Sequence, residues 1–390
     1  MELYILDSLL RRETVVDRFE SLIWTERFSS AGDFELVVHS TAGNRKLFKS
    51  GVKLAQNESY RVMSVESVED KTDAEGRALL TVKGPSLEII LDDRVAKNVF
   101  ADTFNTPTWN MTGTPAAIAR KIFTDICMTG VLNVGDKIPY IQPGTIFPAD
   151  TIAESAVAIN IELALTTVYA AIKNLCELYD MGFRLVRNFD TSQLYFNIYM
   201  GSDRTTKQSN LAAVVFSPEL DNLQNTAALT TTETYKNVAY VFSPVGYTTV
   251  YPQGVDPLTA GLERRVLLVN ADDITDPDPP TALALMIQRG NEELSKHRTF
   301  TAFDGELNQN ISSYKYGTDY QLGDLVEMRN IDGMTNNMQV TEQIFVSDKE
   351  GERSYPTLVI NQFFLPGTWA AWDTNEVWID LGTTEYWSTA

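Results

Sequence analysis

Apolar and polar residues alternate with a period of two along much of the first hundred positions, and clusters of turn-forming residues interrupt them. In FESLIWTERFSSAGDFELVV, residues 19–38, Leu22, Trp24 and Phe28 share one parity, on which Glu20 and Glu26 are the exceptions. After Ser29-Ser30-Ala31-Gly32-Asp33, the second arm puts Phe34, Leu36 and Val38 on one face. Alternation around a Ser/Gly/Asp turn predicts an antiparallel hairpin with one buried side. YRVMSVESV (60–68) and RALLTVK (77–83), separated by the polar EDKTDAEG, predict two further strands. Strands at this spacing predict a barrel or sandwich over residues 1–110.

The period then changes. Ile118, Ile122 and Ile126 recur every four residues behind Thr114 and Pro115, which suit an N-cap and a first helical position. A Pro/Gly-rich connection over 139–148 leads to a strand in which Val157, Ile159, Ile161, Leu163 and Leu165 alternate. A second helix is expected from near Thr167 through Ala171, Ile172, Leu175 and Leu178, with Gly182 as the left-handed residue that ends it. FRLVRNFDTSQLYFNIYM predicts a hairpin with Asp190 to Gln193 at its tip. Residues 111–205 therefore read as a small α+β domain.

Strands return with KNVAYVFSP and ERRVLLV. The acidic loop NADDITDPDPP introduces a helix whose apolar positions include Leu283, Ile287 and Leu294. FTAFDGEL, YQLGDLVEM, MQVTEQIFVSD and YPTLVINQFF complete a second β domain over 206–362, with an insertion near 243–298. The fold class is strand-rich, multi-domain α+β, and the two β segments of similar size are compatible with a diverged duplication. Residues 363–390 form a separate tail holding Trp369, Trp372, Trp378 and Trp387, four of the six tryptophans. Trp buries large area where proteins dock, so these four are the candidate partner-interface residues, against either the chain's own barrel or a neighbouring protein.

Charge narrows the function. Thirty-two Lys and Arg against 52 Asp and Glu give a net charge of -20, which repels nucleic acid and gains nothing from anionic lipid. The start, MELYILDSLLRRET, has no cationic region ahead of an apolar core, and the apolar stretch 155–172 is broken by Asn160 and Glu162. A soluble protein made in a cytosol is expected. Cys127 and Cys176 lie in apolar helical patterns as small buried hydrophobes. His39 and His297 are the two histidines, too few for a zinc site with these cysteines far apart. Neither histidine lies beside a Gly-x-Ser-x-Gly elbow, and no phosphate-cradling glycine motif is present. Asp272, Asp273, Asp276 and Asp278 lack the spacing of a calcium loop and suit the N-terminus of the following helix. Glu162, on an otherwise apolar strand, is the one odd carboxylate. No catalytic, cofactor-binding or metal site is expected.

LDSLLRRETVVDRFESLIWTERFSSAGDFELVV resembles the start of the siphovirus tail-tip (baseplate) hub family, the minor tail proteins of actinobacterial phages. TTVYAAIKNLCELYDMGFRLV, YKNVAYV and RRVLLVNADDI agree with it. SSYKYGTDYQLGDLVEM is similar to the family's late strand pair, in which a Tyr-Gly-x-Asp-Tyr turn precedes Leu-Gly-Asp. The resemblance covers residues 1–362 and leaves out the Trp-rich tail. It implies two tube-like antiparallel β-barrel domains flanking the α+β domain, and a homotrimer whose six barrels make a pseudo-six-fold ring in the virion tail tip. It also implies a distal tail or tail tube protein above, and a tail fibre, spike or other minor tail protein below. Phage DNA would pass through without specific binding. Two other readings stand beside this structural one. In a carbohydrate- or receptor-binding tail module, exposed Trp and Tyr would stack on sugar. A cell-wall glycoside hydrolase would need paired carboxylates, with Glu162 the residue to substitute in a zymogram.

Overall fold

A computed structural model describes residues 1–72, 76–97, 108–142, 158–222, 224–252, 261–297, 300–306, 314–329 and 335–360. The four tail tryptophans and Val157 lie outside the described residues. Residues 1–85 supply β1 (Leu3–Leu6), β2 (Arg12–Val16), β3 (Ser21–Arg27), β4 (Asp33–His39), helix α1 (Ala42–Leu47), β5 (Lys53–Gln56), β6 (Val62–Ser64), β7 (Ser67–Thr72) and β8 (Ala78–Pro85). The predicted β3–β4 hairpin forms in the register Trp24 opposite Phe34. The predicted 60–68 strand is two: β6 closes a four-stranded sheet in the order β2-β1-β5-β6, and β7 pairs with β8. One apolar core joins that small sheet to β3, β4 and β8. Leu3, Ile5, Leu54 and Met63 meet Leu22, Trp24, Leu36 and Val82 there.

The middle segment holds β9 (Val95–Ala96), β10 (Trp109–Gly113), α2 (Pro115–Phe123), β11 (Ile159–Leu163), β12 (Thr166–Thr167), α3 (Val168–Leu178), β13 (Gly182–Arg187) and β14 (Leu194–Tyr199). Thr114 and Thr167 cap α2 and α3, accepting from Ala117 N and Ala170 N, and Pro115 opens α2 as expected. α2 runs into one π-helical turn, Thr124–Met128, which carries Ile126 and Cys127 into the core. Cys127 and Cys176 are both buried, and burial pushes the Cys127 thiol up to about 12 and Cys176 up as well. Gly182 does not end α3. Asp180 takes the left-handed conformation there (φ 52°), while Gly182 is the first residue of β13.

The last segment holds β15 (Val215–Phe216), β16 (Gln224–Thr231), β17 (Val238–Ser243), β18 (Gly246–Val250), β19 (Val266–Asn270), α4 (Pro279–Ser295), β20 (Phe300–Glu306), β21 (Leu325–Arg329), β22 (Thr335–Asp348) and β23 (Gly351–Ile360). β22 pairs with β3, Phe345 opposite Trp24, so the first and last segments share one sheet. Its path is β16-β20-β23-β22-β3-β4-β8-β7, with β21 and β15 branching from β22. The described sheets are open, and none closes into a barrel. Closure is withheld at β7 and β16, which end that path without a further partner strand in it. Val238–Ser295 form a unit of their own, with β17 between antiparallel β18 and parallel β19 and α4 across one face. No described helix is long and apolar enough to cross a membrane.

Candidate functional site

Glu162 lies on β11, opposite Asn110 of β10, and accepts from the Thr108 hydroxyl at 2.7 Å. It borders a cleft of about 330 Å³ between β11, α3 and α4, with Leu163, Leu175, Leu178 and Leu285 as its apolar wall. Glu292 of α4 also faces this cleft. Burial raises its carboxyl above the ordinary range, although the Gln288 amide donates to it at 2.9 Å. Around it Arg289 pairs with Asp273 at 2.7 Å and Lys296 with Glu293 at 2.8 Å. Among the described residues the lining contains neither histidine nor cysteine, so these offer carboxylates without a nucleophile–base pair. The acidic run finds ordinary employment nearby. Asp278 caps α4, accepting from Thr281 N at 3.3 Å, and Asp276 accepts from Asp278 N.

A second constellation joins all three segments. Glu26, an exception to the β3 pattern, is buried and accepts from the Ser59 hydroxyl and from Tyr316 Oη at 3.0 Å. Arg61 and Glu88 form a buried ion pair. Arg61 also donates to the Arg27 carbonyl at 3.0 Å, and Glu88 accepts from Leu185 N of β13 at 2.8 Å. Burial opposes the Arg61 charge, but Glu88 and Glu26 hold it more firmly protonated than usual. Burial also raises the Tyr199 and Tyr316 phenols, and Tyr316 donates to Glu26 as a neutral hydroxyl. Arg184 lays its guanidinium over the Tyr199 ring, 4.4 Å from the centroid.

Phe28 closes the apolar side of this junction. Its ring meets Tyr199 edge-on at 5.4 Å, its N–H donates to Thr341 O, and its carbonyl accepts from Phe183 N. Two glycines make room for it. A Cβ on Gly182 would stand 2.5 Å from the ring and one on Gly323 2.3 Å, and Gly323 also has φ +90°. The Tyr-Gly-x-Asp-Tyr and Leu-Gly-Asp residues that carried the resemblance are thus parts of the joint. Tyr316 reaches Glu26, Tyr320 Oη donates to Gln343 at 3.0 Å, and Gly323 seats Phe28. Asp324 accepts from Ser202 N and from Arg204 at 2.7 Å each. Sequence reasoning missed Arg61, Glu88 and Arg184. The one available signal was Glu26, a carboxylate on a parity otherwise given to Leu22, Trp24 and Phe28. His39 Nε2 lies 2.8 Å from Glu20, the other exception, and His297 Nδ1 lies 3.2 Å from Thr234 O at the end of α4.

The fold resembles that of a tail protein from Neisseria meningitidis MC58, at 13% identity and a TM-score of 0.54, covering 95% of this chain and 98% of that one. It also resembles the 43 kDa tail protein of prophage MuSo2 from Shewanella oneidensis, at 14% identity and a TM-score of 0.52, covering 92% and 96%. No curated protein matches the sequence. The profile of the Siphovirus ReqiPepy6 Gp37-like proteins matches residues 2–358, and the chain belongs to that family of phage tail proteins.

Proposed function

We propose that this tail protein is the hub of a siphovirus tail tip, a homotrimer whose pseudo-six-fold ring joins the tail tube to a fibre or spike. The observation that carries the reading is the layout of the large sheet. β3 and β22 lie antiparallel at its centre, and an arm runs outward from each: β3-β4-β8-β7 and β22-β23-β20-β16. Each arm begins with a hairpin of consecutive strands and ends on an edge strand. One chain therefore brings two comparable four-stranded halves, and three chains under three-fold symmetry bring six. In such a ring the edges β7 and β16 meet the edges of neighbouring copies, which supplies the closure that a single chain lacks. The two tube-like domains of the hub are then completed on assembly.

The charge fits the same role. A channel wall carrying part of the net -20 repels phosphate and lets DNA pass without condensing on it. Light scattering behind size-exclusion chromatography, followed by negative-stain imaging, tests the proposal. A particle of three chain masses with a central hole is expected. A monomer that stays monomeric at high concentration and in contact with the tail tube, or a ring with a basic inner wall, would remove the trimer or the channel respectively.

A further inference from the structure

Among the described residues, the unit Val238–Ser295 has one sheet face covered and one open. α4 and the covered face share Ala239, Val241, Val250, Val269, Ala282, Met286 and Leu294 in a core of their own. On the other face the register sets Tyr240 beside Leu268 and Phe242 beside Tyr247. Tyr247 and Leu268 are each 72% exposed, Phe242 48%, and the Phe242 and Tyr247 rings stack at 6.0 Å. Arg264 borders this face, donating to Tyr240 Oη at 2.7 Å with its guanidinium over the rings of Tyr240 and Tyr251. Exposed aromatic surface of this kind on a sheet marks a docking site.

We infer that residues 361–390 of the same chain dock on this face, setting their tryptophans against Phe242, Tyr247 and Leu268. Connectivity puts the tail close by. Val359 pairs with Ala302 on one side of β20 and Thr231 with Phe300 on the other. The chain thus leaves β23 two strand spacings, about 10 Å, from the end of β16. From Thr231 to Val238 the chain can span at most roughly 25 Å. The open face therefore begins within roughly 35 Å of Ile360, a distance that about ten extended residues cover. Residues 361–390 supply thirty.

The chemistry of the two surfaces is complementary. The tail carries Phe363, Phe364, Trp369, Trp372, Trp378, Tyr386 and Trp387 together with Asp373, Glu376, Asp380 and Glu385, and it has no Lys or Arg. On a chain of net charge -20 most surface repels such a segment. The face bordered by Arg264 and Arg265 offers stacking area and positive charge together, and Arg–Trp stacking uses both.

Photo-crosslinking of the full chain from Tyr247→p-benzoylphenylalanine tests the inference, because Tyr247 is exposed and its replacement leaves the core intact. The expected product joins position 247 to a peptide within 361–390. In a mixture of light and heavy-isotope chains, that product should be of one isotope only. Crosslinks solely between chains would assign the face to a second copy, and crosslinks elsewhere or none would overturn the inference outright. As a second readout, F242S/Y247S should speed chymotryptic cleavage within 361–390 at least tenfold, with the rest of the chain as resistant as before. Equal cleavage rates in the two proteins would also sink it.

Discussion

Phe28 touches all three segments of the chain: it directly follows β3, Tyr199 of β14 packs its edge, and Gly182 and Gly323 are small to admit it. Phe28→Ala should therefore cost about 3–5 kcal/mol, the range for a buried aromatic lost from a core. Urea unfolding followed by tryptophan fluorescence measures it, and a loss under about 1 kcal/mol would mean the site collapses freely. The Arg61–Glu88 pair gives a sharper test. Glu88→Gln keeps an acceptor for Leu185 N but leaves the Arg61 guanidinium buried without its counter-charge, at a cost of about 3–5 kcal/mol. Adding Arg61→Met removes that charge, so R61M/E88Q should recover most of the loss; additive effects of the two changes would show that they do not act as a pair. Glu292 sets a pH dependence. Its folded pKa is raised by burial, so the folded state binds more protons than the unfolded state just above the ordinary glutamate range. Stability from this group is greatest at low pH and declines as pH rises through that window. Glu292→Gln, uncharged throughout, should match the wild-type melting temperature near about pH 4 and exceed it near about pH 7.

At the scale of elements, local chemistry was legible and long-range pairing was not. Thr114, Pro115 and Thr167 announced two helix starts because capping is a contact between residues three apart. The β3–β4 hairpin was readable from its alternation for the same reason. Gly182 was misread because two requirements look alike in a sequence: glycine for a left-handed backbone and glycine for a close approach. Here the neighbour is Phe28, about 150 positions away. Of the apolar positions named for α4, Leu294 is buried, while Leu283 and Ile287 are 43% and 40% exposed. The buried stripe is Ala282, Met286, Gly290 and Leu294, and the bare backbone at Gly290 lets α4 lie close on Val241 and Val250. The pairing of β22 with β3 joins residues more than 300 apart and leaves no periodic trace in either strand. Asp278, by contrast, is a cap visible in both sequence and structure. Asp278→Ala should cost about 1 kcal/mol, appearing as faster amide exchange in α4 with little change in β3 or β22.

For the whole molecule, the distribution of cores decides which parts can be separated. The core around Trp24 contains Phe345 of β22, and the core around Phe28 gathers Tyr199, Phe216, Tyr320 and Leu358. Neither arm of the large sheet has its interior to itself, so the two arms should unfold together. The Val238–Ser295 unit differs, because every described residue of its buried core comes from within it. Its two ends also meet, Lys236 N donating to His297 O at 2.8 Å. A segment with its own core and adjoining ends can be removed without stretching the chain that remains. Joining Lys236 to His297 through a short Gly/Ser linker should leave a folded protein whose urea midpoint falls little, since the cores at Trp24 and Phe28 are untouched. Its amide exchange should still protect β3 and β22. Arg289, Glu292 and the rest of α4 would be lost from the cleft beside Glu162, so a modest rise in exchange over β11 and α3 is expected. If the excised protein instead fails to fold, the unit is needed to bring β16 to β20, and the sheet's outer arm is held from outside rather than by its own pairing. Oligomeric state then separates two uses of the same fold. An excised chain that still forms threes would place the contacts of the proposed ring on the sheet arms, at the edges β7 and β16, and not on the inserted unit.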